Sequence, residues 1–263
     1  MKLQVMNVTP AKAAGWLKMN TINRPVRKQH VARLAQAMKR GEWVANHQAI
    51  ALNGSKLIDG QHRLMAVIES GLSFVEMSVI ADADTKHFDT IDIGVKRSNA
   101  DIFREDMHVM MPINFVASLT IGKSATPHQI QPIYSKLHSQ VRELVNSAPR
   151  TVKKFCSPVI RAAAIAAILK GEDKAYVFDI YKNMCEYNID QLPKVAQLFV
   201  RQLTIDSVVG NSKKIHGKDT YDLLARAWTV FQKDNANLQK LSVKKAADKV
   251  GEVREVFRSA LGL

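Results

Sequence analysis

Five consecutive residues, Asp59-Gly60-Gln61-His62-Arg63, bring a carboxylate, an imidazole and a guanidinium into one short stretch. Each suits a phosphate or a metal-bound nucleotide. A carboxylate can hold Mg²⁺ or take a proton. An imidazole can orient a phosphate or act as acid or base, since it titrates near neutrality. A guanidinium pairs with phosphate oxygens through parallel hydrogen bonds. Plainer roles stand beside these: Asp59 as a helix cap or partner of Arg63, and His62 as a buried histidine. The flanking pattern says what positions them. Leu57 and Ile58 continue the apolar alternation of Ile50 and Leu52, which predicts a hairpin around Asn53-Gly54. After Gly60, Leu64, Val67 and Ile68 share one helix face, and Gly71 is a normal helix stop. A strand running straight into a helix leaves backbone N–H groups at the helix start, where they and the dipole favour an anion.

Other elements must hold this turn. Leu3, Val5 and Val8 predict a first strand, and Thr9-Pro10 opens a short helix through Leu17. Asn20 to Pro25 breaks it. A helix over about Arg27–Arg40 places Val31, Leu34 and Met38 inward and leaves Lys28, Lys39 and Arg40 among the outward cations. These make either a solvated face or a DNA contact. Trp43 is expected to pack on the sheet, and Val75 to Ala81 is a further strand. Phe88–Ile93 reads as strand or loop. Ser98 and Asp101 approximate a capping pair. Lys96 and Arg97 before that helix start oppose its dipole, a placement that favours a bound anion.

The pentapeptide, followed by Leu64-x-Ala66, resembles the DGQHR form of the ParB/sulfiredoxin superfamily box. Asn23-Arg24-Pro25-x-Arg27, the helix ending at Gly41 and the strand Ile50-Ala51-Leu52 are similar to the first ParB box. Phe88 to Ser98 resembles a segment common in phage-borne members. The likeness covers roughly Val5 to Ser98. It implies an α/β nucleotide-binding domain in which Gly60, Gln61 and Arg63 hold the phosphates of ATP or CTP with Mg²⁺. Asn23, Arg24 and Arg27 would be lid residues, with Lys96 and Arg97 nearby. Asp59 and Asp92 would be metal ligands, and Asp59 and His62 acid/base groups. Chromosome-partitioning ParB has Gly-Glu-Arg-Arg where this chain has Gly60-Gln61-His62-Arg63, so CTP preference and a sliding clamp do not carry over. Sulfiredoxin's catalytic cysteine is replaced by Gln61.

Length and composition set the bounds. A chain of 263 residues, 46% hydrophobic and 24% charged, can bury an ample core in one large or two modest domains. No run approaches the ~18 apolar residues of a membrane span, and the start lacks the apolar core of a signal peptide. Cys156 and Cys185 alone make neither a disulfide framework nor a zinc ligand set, so a reducing cytoplasm is expected. The net charge of +14 is the footprint of a nucleic-acid binder. Residues 1–97 hold 14 basic and 8 acidic side chains, leaving 24 and 16 beyond, so both halves are expected to face a polyanion.

From about residue 98 strand patterns give way to helical ones. Segments near Ile113–Ile121, Ile130–Asn146, Pro158–Leu169, Ala175–Tyr187, Pro193–Val209, Asp219–Phe231 and Lys244–Leu261 read as helices. The almost wholly apolar Ala162–Leu169 belongs at the centre of a bundle. The expected fold is α+β: an α/β domain with a small mixed sheet over 1–98, then an all-α domain over 99–263. Gly122-Lys123-Ser124 is not a P-loop, because the glycine required earlier in that motif is Ala117. Two basic loops, Arg150 with Lys153 and Lys154, and Lys213 and Lys214 with Lys218, suit phosphate-backbone contacts. Few aromatics accompany them, which favours duplex over single-stranded DNA. The expected function is a nucleoside-triphosphate-binding, DNA-associated protein of a phage or mobile element. The alternatives are an NTPase, phosphotransferase or nuclease of the same fold, and a non-catalytic inhibitor or adaptor that binds DNA or a host protein. A homodimer fits either.

Overall fold

The structure is a computed structural model and describes residues 2–21, 23, 25–83, 98–150, 152, 154–208, 218–241 and 246–263. Arg24, Asp92, Lys96, Arg97, Lys153, Lys213 and Lys214, and the Phe88–Ile93 segment, lie outside the described residues. The protein is α+β, with eleven α-helices and a four-stranded mixed sheet among the described residues. It divides into two compact units, Met1–Lys96 and Arg97–Leu263. No described helix is long and apolar enough to cross a membrane.

The first unit runs β1 (Leu3–Val8), α1 (Pro10–Leu17), α2 (Lys28–Lys39), β2 (Ile50–Asn53), β3 (Lys56–Asp59), α3 (Gln61–Ser70) and β4 (Val75–Ile80). The sheet order is β1-β4-β2-β3. β1 lies antiparallel to β4, β2 lies parallel to β4, and β2 and β3 form the expected hairpin. Two parallel neighbours need a crossover, and α3 supplies it between β3 and β4. Val75, Met77 and Val79 alternate inward along β4 and join Ile50, Leu52 and Leu57 in the core. Val31, Ala35 and Met38 of α2, with Leu64, Ala66 and Val67 of α3, close it from the helical side. Ile68, expected inside, is 41% exposed, while Ala66 and Ser70 are buried. α3 packs against both α1 and α2, so its neighbours rather than its most apolar stripe set the buried arc. Trp43 packs at the sheet as expected, its indole N–H donating to the Glu76 carbonyl at 3.0 Å.

The second unit is helical: α4 (Asn99–Phe103), α5 (Met107–Thr120), α6 (Pro127–Asn146), α7 (Pro158–Lys170), α8 (Lys174–Glu186), α9 (Lys194–Val208), α10 (Lys218–Val230) and α11 (Ala246–Leu261). α7 is buried on every side from Val159 to Ala167 and packs against α5, α6, α8, α10 and α11. Its run of alanines lets those neighbours approach closely. Ser98 and Asp101 form a full capping box on α4. Two helices start earlier than their apolar periods indicate. Thr126 and Gln129 cap α6, and Pro127 is its first residue rather than a breaker. α5 opens at Met107 with Asp106 as cap and runs through Pro112. A proline there removes the N–H that would bond the carbonyl four residues back, that of His108. The Arg161 Nη1 donates to this carbonyl instead, at 3.2 Å.

Candidate functional site

The strand-to-helix turn forms because only glycine fits it. Gly60 has φ +107°, and a Cβ placed there would come within 2.5 Å of Ile50 Cδ1. The bend lets Gln61 open α3 directly after Asp59 ends β3. Asp59 then serves the turn itself. Its Oδ1 accepts from the Gly60 N–H at 2.6 Å, and its Oδ2 accepts from Arg63 Nη2 at 2.8 Å. The same Nη2 donates to the Ala49 carbonyl at 3.0 Å. The Arg63 side chain is 12% exposed, and its Nε–H is buried with no partner. Asp59 is more open, at 40%. The plainer role for Asp59, pairing with Arg63, is therefore present in the fold.

The start of α2 meets this turn. The Arg27 backbone N–H donates to His62 Nε2 at 3.0 Å. An accepting Nε2 has no proton, so the imidazole is neutral in this arrangement with its hydrogen on Nδ1. His62 is buried, and the His30 ring lies 5.3 Å from it between centroids. Acid or base work by His62 through Nε2 would require release of Arg27. Neither Arg27 nor Gly60, the N-cap residues of α2 and α3, makes a side-chain capping hydrogen bond. Two helix starts thus sit together, with Arg27 and Lys28 exposed beside them. Asn20 and Asn23, between α1 and α2, bond to the same turn and to the strand before it. Asn20 Nδ2 donates to Gln61 Oε1 at 2.9 Å, and Asn23 Nδ2 donates to Asn20 Oδ1 and to the Leu57 carbonyl, both at 2.8 Å.

Of the sequence-predicted residues, Asn23, Arg27, Asp59, Gly60, Gln61, His62 and Arg63 are brought together. Sequence reading missed Asn20, whose only signal is an amide in the breaker before Pro25, and the backbone carbonyl of Ala49. Of the described basic candidates, Lys28 stands beside this turn. Lys28 and Lys39 are exposed at the two ends of α2. Arg40 is held by Glu42 at 2.7 Å and Arg150 by Asp106 at 2.9 Å, so each would have to exchange a carboxylate for a phosphate. Lys154 is exposed before α7, and Lys218 opens α10. Among the described residues no three His, Cys, Asp or Glu side chains gather into a metal site. Asp59 by itself supplies one carboxylate, so a Mg²⁺ held there would need its remaining oxygens from a bound phosphate and water.

No family model, no curated protein and no solved structure matches the chain.

Proposed function

We propose that the chain is a nucleoside-triphosphate-binding, DNA-associated protein with a ParB/sulfiredoxin-like first unit, the phosphates lodging where α2 and α3 begin. One observation carries the reading: two helix starts without side-chain caps abut through the Arg27 N–H and His62 Nε2. Each presents the positive end of a dipole. Arg27 and Lys28 stand where such a dipole disfavours cations by roughly 0.3–1 kcal/mol each, and a bound anion reverses that sign. Arg63 would turn from Asp59 to the phosphates, and Asp59 would then share Mg²⁺ with them. The net charge of +14 supports duplex DNA as the second ligand.

A second reading is supported by the Asp59–Arg63–Ala49 clasp. In it the fold is retained without nucleotide, and the protein is an adaptor. Calorimetric titration with ATP, CTP and GTP, each with Mg²⁺, separates the two. Binding to one of them, weakened about 10–100-fold by Arg63→Ala through loss of charge-assisted hydrogen bonds, is expected. Three flat titrations overturn nucleotide binding and leave the adaptor. Phosphate release on incubation would make the protein an enzyme. For DNA, affinity should fall steeply with salt; an affinity indifferent to salt tells against backbone contacts.

A further inference from the structure

In the helical unit the start of α7 runs beside the end of α8, and two contacts fix their register. The Phe155 ring lies 6.4 Å from the Tyr187 ring between centroids. Arg161 Nε donates to the Tyr181 hydroxyl at 2.8 Å. From the first contact to the second, one segment climbs from 155 to 161 while the other descends from 187 to 181. The two are antiparallel and in step. Cys156 and Cys185, the only cysteines of the chain, both fall inside this bracket, next to its Phe155–Tyr187 end. Tyr181 and Cys185 also share one face of α8, four residues apart.

The side chains meet as this register requires. Burial pushes the Cys185 thiol up to about 12, a hydrogen bond with the Tyr181 hydroxyl works against that, and contact with the Cys156 thiol adds to it. Burial likewise raises the Tyr181 hydroxyl well above its ordinary value, and both sulfurs reinforce the rise. Arg161 is 1% exposed, and among the described residues no carboxylate pairs with it. Its charge draws the Cys185 thiol down, but burial outweighs it. The two sulfurs differ in access. Cys185 is fully buried and stays a thiol at pH 7, whereas Cys156 is half-buried, its Sγ 4.0 Å from the Pro149 carbonyl at the surface.

We propose that Cys156 and Cys185 are a redox pair: a peroxide oxidises Cys156, and Cys185 then closes an intramolecular disulfide that ties the start of α7 to the end of α8. In the first step the Cys156 sulfur attacks one peroxide oxygen, the O–O bond breaks, and the other oxygen leaves as water with the thiol proton. In the second the Cys185 sulfur attacks the Cys156 sulfur, the S–O bond breaks, and the hydroxyl leaves as water with the Cys185 proton. Two thiols are oxidised to one disulfide and one peroxide is reduced to two waters. Burial divides the roles, since a peroxide reaches Cys156 and only Cys156 reaches Cys185. The pair is independent of the nucleotide reading.

The full chain, reduced and then freed of reductant, is treated with hydrogen peroxide. Remaining thiols are alkylated in denaturant before intact and peptide mass spectrometry. A chain lighter by two hydrogens is expected, with no alkylated thiol and with the Cys156 and Cys185 peptides linked, all reversed by dithiothreitol. Closure should be at least about tenfold faster in the folded chain than in urea, because the fold holds the sulfurs together. The Tm of the helical unit should rise by roughly 5–15 °C on oxidation, as the closed loop restricts the unfolded chain. Cys185→Ser should stop at sulfinic acid on Cys156, and Cys156→Ser should leave Cys185 reduced. Four results in the wild type overturn the pair without any variant: sulfinic acid at Cys156 with Cys185 still alkylated, a disulfide between two chains, equal closure rates in urea, or no change in either thiol. A lower Tm after closure overturns it as well, since the bond would then form only by distorting the helices.

Discussion

Replacing Gly60 with alanine tests the turn on which the candidate site stands. At φ +107° the backbone lies in the left-handed region, which costs an L-residue roughly 1–2 kcal/mol. The added Cβ would also lie 2.5 Å from Ile50 Cδ1 and 3.2 Å from Ile50 Cα. The first neighbour is the end of a side chain and can shift; the second is backbone of β2 and cannot. Overpacking of this kind costs about 1–3 kcal/mol. Gly60→Ala should therefore destabilise the first unit by about 2–5 kcal/mol. Gly71→Ala is the control. Its φ is +69°, yet a Cβ there meets nothing within 4 Å, so it carries only the backbone part. Ile50→Val removes the atom in closest contact, so Gly60→Ala should cost about 1 kcal/mol less in that background. The assay is urea unfolding followed by hydrogen exchange of peptides from β2 and α3, which isolates the first unit from the helical one. The reasoning fails if Gly60→Ala costs no more than Gly71→Ala, or if the Ile50→Val background leaves the penalty unchanged.

Further expectations follow from other groups. Removing the charge of Asp59 with Asp59→Asn should strengthen triphosphate binding in the absence of Mg²⁺, because Arg63 loses its competing partner, and weaken it when Mg²⁺ is present. Titration calorimetry with and without EDTA checks this, and equal affinities in all four conditions would count against a shared Mg²⁺. Burial pushes the Glu105 carboxyl up, but hydrogen bonds from Arg142, the Asp106 N–H and the Tyr134 hydroxyl outweigh it and hold the group below its ordinary 4.5. A depressed carboxyl stabilises above its unfolded pKa and loses that contribution as pH falls through the folded one. The Tm of the helical unit should thus drop below about pH 4.5, and less steeply in Glu105→Gln; parallel pH profiles for the two proteins would refute the linkage. Cys185, with its thiol pushed to about 12 by burial, should resist iodoacetamide at pH 8 in the folded chain while half-buried Cys156 reacts. Peptide mass spectrometry reads the two sites, and equal labelling would contradict that burial.

The sequence by itself determined what depends on neighbours along the chain. Alternation in Ile50–Leu52 and Leu57–Ile58, the glycine at position 60 and the apolar spacing after it were enough to place a strand, a bend and a helix. The change of texture near residue 98, the Ser98–Asp101 cap and the buried centre at α7 were legible for the same reason: periodicity and capping act over a few residues. Tertiary structure decided who bonds to whom. The Arg27 N–H and His62 Nε2 are 35 residues apart, and Arg161 and the His108 carbonyl are 53 apart. Local propensity carries no information about such pairs, because packing of whole helices brings them together. It likewise took the fold to turn Arg63 onto Asp59 and Ala49, and to leave Arg161 buried without an opposite charge. A residue's type fixes the bonds it can make, and only the burial around it fixes which of them it must make.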